Sequence, residues 1–125
     1  MADRSYTLVL QSVLTANGTG TVSFPVPQGE FLELDQMVFN ATGAFAITDI
    51  RDSSGNHYTN ASVAVPLPST VLASGANNNN ALKDFFKNIF IDGGSIFYVD
   101  VKDTSGAGNT VNLAFMGRRG DKSSV

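Results

Sequence analysis

His57 is the only histidine in the 125-residue chain, and there is no cysteine. Zinc and iron centres take two or three nitrogen or sulfur ligands, which one imidazole cannot supply. A Ser-His-Asp triad would have to recruit His57, yet no serine sits in a Gly-x-Ser-x-Gly elbow. His57 therefore reads as a polar residue just after a turn. Carboxylates come in close pairs: Glu33 with Asp35, Asp49 with Asp52, Asp100 with Asp103. Glycosidase chemistry needs two carboxyls facing each other across a cleft, one of them buried. Glu33 and Asp35 alternate with leucines and so should point to water. Asp52 and Asp103 open turns, where an Asp side chain accepts hydrogen bonds from nearby backbone N–H groups. Calcium finds no Asp-x-Asp-x-Asp-Gly loop, although a site assembled from separate loops stays open. Gly18-Thr19-Gly20 and Gly106-Ala107-Gly108 lack the Lys-Ser/Thr of a phosphate-binding loop. Arg119-Gly120-Asp121 spells an integrin-type tripeptide, but three-residue matches arise by chance. These residues lead to the expectation of no enzyme activity, no metal and no cofactor.

The elements that would position these residues are nearly all strands. Tyr6 to Leu14 is β-rich and ends at Asn17-Gly18, which suits a tight hairpin. Val22, Phe24 and Val26 share a face, and Pro25 and Pro27 place that segment at an edge or strand end. In Phe31 to Phe39, Leu32, Leu34 and Val38 alternate with Glu33, Asp35 and Met37, the mark of a sheet with one wet face. Ala44 to Arg51 should form a hairpin with a short strand around His57-Tyr58-Thr59, and Ser62 to Val65 is a further strand candidate. Residues 69 to 80 read as an exposed Asn-rich loop, and Ala81 to Lys87 is the one helix candidate. Near the end, Phe97, Val99 and Val101 face in, as do Val111, Leu113 and Phe115. About eight short strands with little helix indicate an all-β, jelly-roll-like antiparallel β-sandwich. Residues 1–5 would be an N-terminal arm, 6–117 the sandwich domain and 118–125 a basic tail.

Hydrophobic residues make up 42% of the chain and charged residues 15%, against about 25% charged for an average soluble domain. No apolar run is long enough for a membrane-spanning helix, and the polar start shows no signal peptide. The formal charge of −3 divides into −5 over residues 1–116 and +2 over residues 117–125. An acidic body with a short basic end lacks the broad basic face that nucleic acid requires. Nine phenylalanines and no tryptophan suit core filling better than sugar stacking. Some apolar residues should nevertheless face outward: Phe31, Met37 and Phe39 share parity with Glu33 and Asp35, and Ile96 and Tyr98 lie opposite Phe97 and Val99. A subunit contact through these five residues is the sharper reading. A bulge that shifts strand parity is the alternative.

The closing part of the chain, Ile89-Phe90-Ile91-Asp92-Gly93-Gly94-Ser95-Ile96-Phe97-Tyr98-Val99-Asp100-Val101, then a Thr-Ser-Gly loop, then Val111 to Arg119, resembles the C-terminal half of small jelly-roll virion proteins of tailed bacteriophages. The uncharged Ser/Thr/Asn/Gly-rich composition is similar to that of their capsid decoration (cement) proteins. The likeness covers residues 89–119 in detail and the rest only in strand rhythm. It implies a homo-oligomer on the outside of an assembled head, made in the host cytoplasm. Its partner would be the major capsid protein, with neither nucleic acid nor membrane involved. Ala2, Asp3, Arg4 and Ser5 at one end and Arg118, Arg119 and Lys122 at the other are the expected attachment residues. A neck, tail or fibre position, or a carbohydrate-binding jelly roll, is the alternative.

Overall fold

A computed structural model describes residues 4–69 and 89–121. Among these residues eight strands run in chain order: β1 (Arg4–Leu14), β2 (Thr19–Pro25), β3 (Glu30–Ala41), β4 (Phe45–Asp52), β5 (Leu67–Pro68), β6 (Ile89–Asp92), β7 (Ile96–Asp103) and β8 (Asn109–Asp121). They form two four-stranded antiparallel sheets, sheet A in the order β1-β8-β3-β6 and sheet B in the order β2-β7-β4-β5. The first half of the chain pairs with the second half in reverse order, β1 with β8, β2 with β7, β3 with β6 and β4 with β5. One long hairpin folded over on itself produces this pattern, which is the jelly roll.

The sandwich forms because alternate residues of each strand are apolar. In β7, Phe97, Val99 and Val101 are buried, and in β8 Val111, Leu113 and Phe115 are buried, as unbroken alternation requires. Two T-shaped aromatic pairs lock the sheets together. Phe97 meets Phe115 at 5.3 Å and Phe39 meets Phe45 at 5.1 Å between ring centroids.

Bulges break the alternation in two strands. The β3–β8 register shifts between Leu34 and Gln36, leaving Asp35 as the extra residue, and the β4–β7 register shifts between Ile47 and Asp49. Beyond the β3 bulge the inward positions are Met37 and Phe39 rather than Val38, which is only half-buried. The expected outward contact through Phe31, Met37 and Phe39 is therefore corrected, because all three are buried within the single chain. Phe31 stays on the outer side of sheet A but lies stacked against Phe90 and beneath the Arg118 guanidinium.

Local turn chemistry places the loops. Asn17 takes φ 58°, and the Gly18 N–H donates to the Thr15 carbonyl at 2.8 Å. This turn passes the chain from sheet A to sheet B, so β1 and β2 are not the expected hairpin. The segment after β4 makes only a single bridge between Arg51 and His57. Ser62 to Val65 closes a turn, the Ser62 N–H donating to the Val65 carbonyl, and is not a strand. Val63 and Val65 are exposed, so their β propensity finds no sheet to join. The helix candidate 81–87 and the loop 70–80 lie outside the described residues.

Candidate functional site

Strand pairing gathers the two ends of the described chain at one end of sheet A. Arg4 lies opposite Arg119 and Ser5 opposite Arg118 across β1–β8, while Glu33 lies opposite Arg118 across β3–β8. Residues 4–5 and 118–121 are thus strand rather than arm and tail. The physical reason is that β8 sits between β1 and β3 and keeps a strand partner out to Asp121. Ala2, Asp3 and Lys122 lie outside the described residues.

Both arginines are engaged within the protein. Arg118 Nε donates to the Glu33 carboxylate, and its guanidinium lies 5.1 Å from the Phe31 ring centroid. Arg119 Nε donates to Glu30 at 2.7 Å and Nη1 donates to the Tyr6 hydroxyl at 3.1 Å. It also covers the Tyr6 and Phe24 rings, closing the end of the sandwich between the sheets. The hydrogen bond to Glu30 raises the Arg119 pKa further, so its charge is permanent. Arg118 is the more accessible of the two, its side chain 41% exposed against 16% for Arg119.

Beside Arg118 the bulge opens a cleft of about 400 Å³ on the outer face of sheet A, lined by Ser5, Thr7, Glu33, Asp35, Gln36 and Arg118. Further along the same face lies a second hollow of about 380 Å³, lined by Val9, Val38 and Ala114 with Asn40 and Asn112 at its rim. Val9 is 66% and Val13 is 74% exposed. The face offers hydroxyls, amides, carboxylates and one ion-paired guanidinium next to an apolar strip. That mixture suits recognition of a protein surface, where an apolar centre is ringed by polar groups.

The other polar groups organise structure. On the outer side of sheet B, Arg51 bridges to Asp100 at 3.2 Å and lies over Tyr98, while His57 contacts Asp49 at 3.1 Å. Tyr98 and Ile96 are half-buried. Asp52 accepts hydrogen bonds from the Ser54 and Asn56 backbone N–H groups and from the Tyr58 hydroxyl. Burial pushes the Asp52 carboxyl up, but these bonds outweigh it and hold it below the usual carboxylate range. Burial and the Asp52 carboxylate together push the Tyr58 hydroxyl well above its ordinary pKa. No group of three or more metal-ligating side chains occurs among the described residues.

Asp103 is the tightest of these turn organisers. Its carboxylate accepts from the Ser105 hydroxyl, the Asn17, Ser105 and Gly106 backbone N–H groups, and Asn109 Nδ2. The Ser105 bond, and after it those from Asn17 and Asn109, overcome desolvation and hold the carboxyl far below its usual range. Because the folded-state pKa is depressed, the stabilisation is complete above the unfolded-state value of about 3.9 and is lost as pH falls toward the folded value. Asp103→Asn should lower Tm at neutral pH and flatten the loss of Tm below about pH 5, so that the two curves converge in acid. Thermal melts across that range check this, and parallel curves would contradict it.

The described residues define an all-β antiparallel sandwich whose sheet A presents an open outer face of mixed polar and apolar groups. Comparison with protein-family models, with curated proteins and with solved structures returns no match.

Proposed function

We propose that the protein is a structural component of a bacteriophage virion, a decoration or cement protein that docks on the outside of the capsid through the outer face of sheet A. One observation carries the reading: Ser5 and Arg118, a polar cleft and an exposed apolar strip all lie on that single face. Copies would bridge neighbouring major capsid protein subunits. Binding only the assembled shell stabilises it by mass action. Repetition over many equivalent sites multiplies modest contacts. The attachment residues within reach are Arg4, Ser5 and Arg118, with Arg119 serving mainly to hold that end of the sandwich closed. The resemblance over residues 89–119 supports the virion setting. Copy number per particle separates a head position from a neck, tail or fibre position.

Deleting residues 118–125 would strip the end of β8 and confuse docking with folding. A point change is cleaner. Asp35 is an exposed residue in the cleft, whereas Ser23 is exposed on β2 of sheet B. Asp35→Trp should weaken binding to purified heads at least tenfold, about 1.4 kcal/mol, and Ser23→Trp should leave occupancy unchanged. Equal occupancy for both variants would overturn the assignment of this face.

A further inference from the structure

The two sheets have four edges, and they are unequal. Among the described residues, edge strand β5 has two residues and β6 has four. Edge strand β2 has seven, including Gly20 and Pro25, which lacks an N–H to donate. Edge strand β1 runs eleven residues without proline or glycine, and its one charged residue is Arg4 at the very end. Among the described residues no strand pairs with the outer side of β1. A long, apolar edge with alternate N–H and C=O groups pointing away from its sheet is a template for another strand.

The geometry points to a second copy of this chain as that strand, with β1 pairing antiparallel to β1 about a two-fold axis through Val9. A two-fold contact must be self-complementary, and β1 satisfies this in one register. With Val9 on the axis, Leu8 faces Leu10 of the second copy, Thr7 faces Gln11, and Ser5 faces Val13. Leu8 and Leu10 are core residues, and Thr7 and Gln11 are exposed, so the central residues meet ones from the same environment. Moving the axis to Leu8 sets Val9 against Thr7, and moving it to Leu10 sets Val9 against Gln11 and Leu8 against Ser12. Both alternatives set apolar against polar positions within one or two residues of the axis, which cross-strand pairing disfavours, whereas the Val9 register confines such pairs to its outer positions, Tyr6–Ser12, Ser5–Val13 and Arg4–Leu14.

The chosen register also extends the exposed strip. Val38, Ala114 and Val9 lie in one cross-strand row, since Ala114 is opposite both of the others. Two such rows meet end to end at the axis and form one apolar band across six strands, flanked on each side by the Gln11–Asn112 hydrogen bond of 2.8 Å. Charge agrees with this arrangement: the two copies of Arg4 are placed at opposite ends, about 34 Å apart at the usual strand rise. The result is a continuous eight-stranded sheet with β6 at each end. Edge pairing adds strands beside β1 and puts no layer over the outer face, so the cleft between Ser5 and Thr7 of β1 and Asp35 of β3 stays open for docking.

The chain has no cysteine, so introduced thiols report the register alone. Only a residue on the axis lies opposite its own copy, within the Cα separation a disulfide spans. Val13 would lie about 27 Å from its counterpart. Mild oxidation of Val9→Cys should give a covalent dimer on a non-reducing gel, and Val13→Cys should stay monomeric. A mixture of Ser5→Cys and Val13→Cys should cross-link to each other. Wild-type protein should sediment at twice the 13.2 kDa chain mass, and Val9→Lys should weaken association at least tenfold with Tm and the far-UV spectrum retained. A wild-type monomer at tens of micromolar, or equal cross-linking of the Val9 and Val13 variants, would overturn the proposal. These measurements use isolated protein, so their failure is distinct from failure of capsid docking.

Discussion

Gly117→Ala should destabilise the protein by about 3 kcal/mol, the upper end of what a steric insertion into a packed site costs. In urea the midpoint should fall with the slope unchanged. Gly117 pairs with Tyr6 on one side and Leu34 on the other, at the point where β3 carries its extra residue. There the Glu33–Leu34 backbone crosses so close that a Cβ on residue 117 would fall on the Glu33 carbonyl oxygen and against Leu34 Cα. Both obstacles are main chain, so no side-chain rotation relieves them. The strands must separate or the bulge must move. Losing it altogether would slip the register by one and reverse which side chains of β3 enter the core, exchanging Met37 and Phe39 for Val38. A single methyl group therefore tests whether the bulge sets the parity of β3, and with it the cleft beside Asp35. A stability change below about 1 kcal/mol would show that the strands part without cost.

The same bulge explains why some of the molecule was readable from its sequence and some was not. β7 and β8 alternate without interruption, so Phe97, Val99 and Val101 and then Val111, Leu113 and Phe115 could be assigned to the core directly. In β3 both parity sets are apolar, Leu32, Leu34 and Val38 on one and Phe31, Met37 and Phe39 on the other. That double pattern was the available sign of an inserted residue, but nothing about Asp35 itself marks the place. Asp52 and Asp103 were legible as turn residues because their partners lie within a few positions. The setting of the basic end was not. The partners of Arg118 and Arg119 are Glu33 and Glu30, 85 and 89 residues away, and only the crossing of β8 between β1 and β3 brings them together. Local charge counting sees a tail where long-range pairing makes a strand. The convergence of Arg4 and Ser5 with Arg118 is long-range in the same sense, although each end by itself reads as an attachment element.

Phe97→Ala should cost about 4 kcal/mol, within the range for emptying a fully buried phenylalanine site. Phe97 belongs to sheet B and Phe115 to sheet A, and neither is more than 1% exposed. Their rings meet at 90° with centroids 5.3 Å apart, the edge-to-face arrangement that aromatic quadrupoles favour. Phe115→Ala should cost a similar amount. The double variant should lose less than the sum by about 1 kcal/mol, which isolates the ring–ring contact from simple loss of volume. Against a total stability of about 5 to 15 kcal/mol for a domain, either single change brings the sandwich close to unfolding at 37 °C. The position of Phe97 makes the experiment informative about docking too. It sits in the sheet opposite the proposed docking face, so any folded Phe97→Ala protein should bind heads as wild type does, with occupancy falling only by the unfolded fraction. Asp35→Trp should behave in the opposite way, folding normally and failing to dock. If Phe97→Ala weakened docking beyond its loss of folded protein, sheet B would have to take part in the contact, and a one-faced attachment would no longer hold.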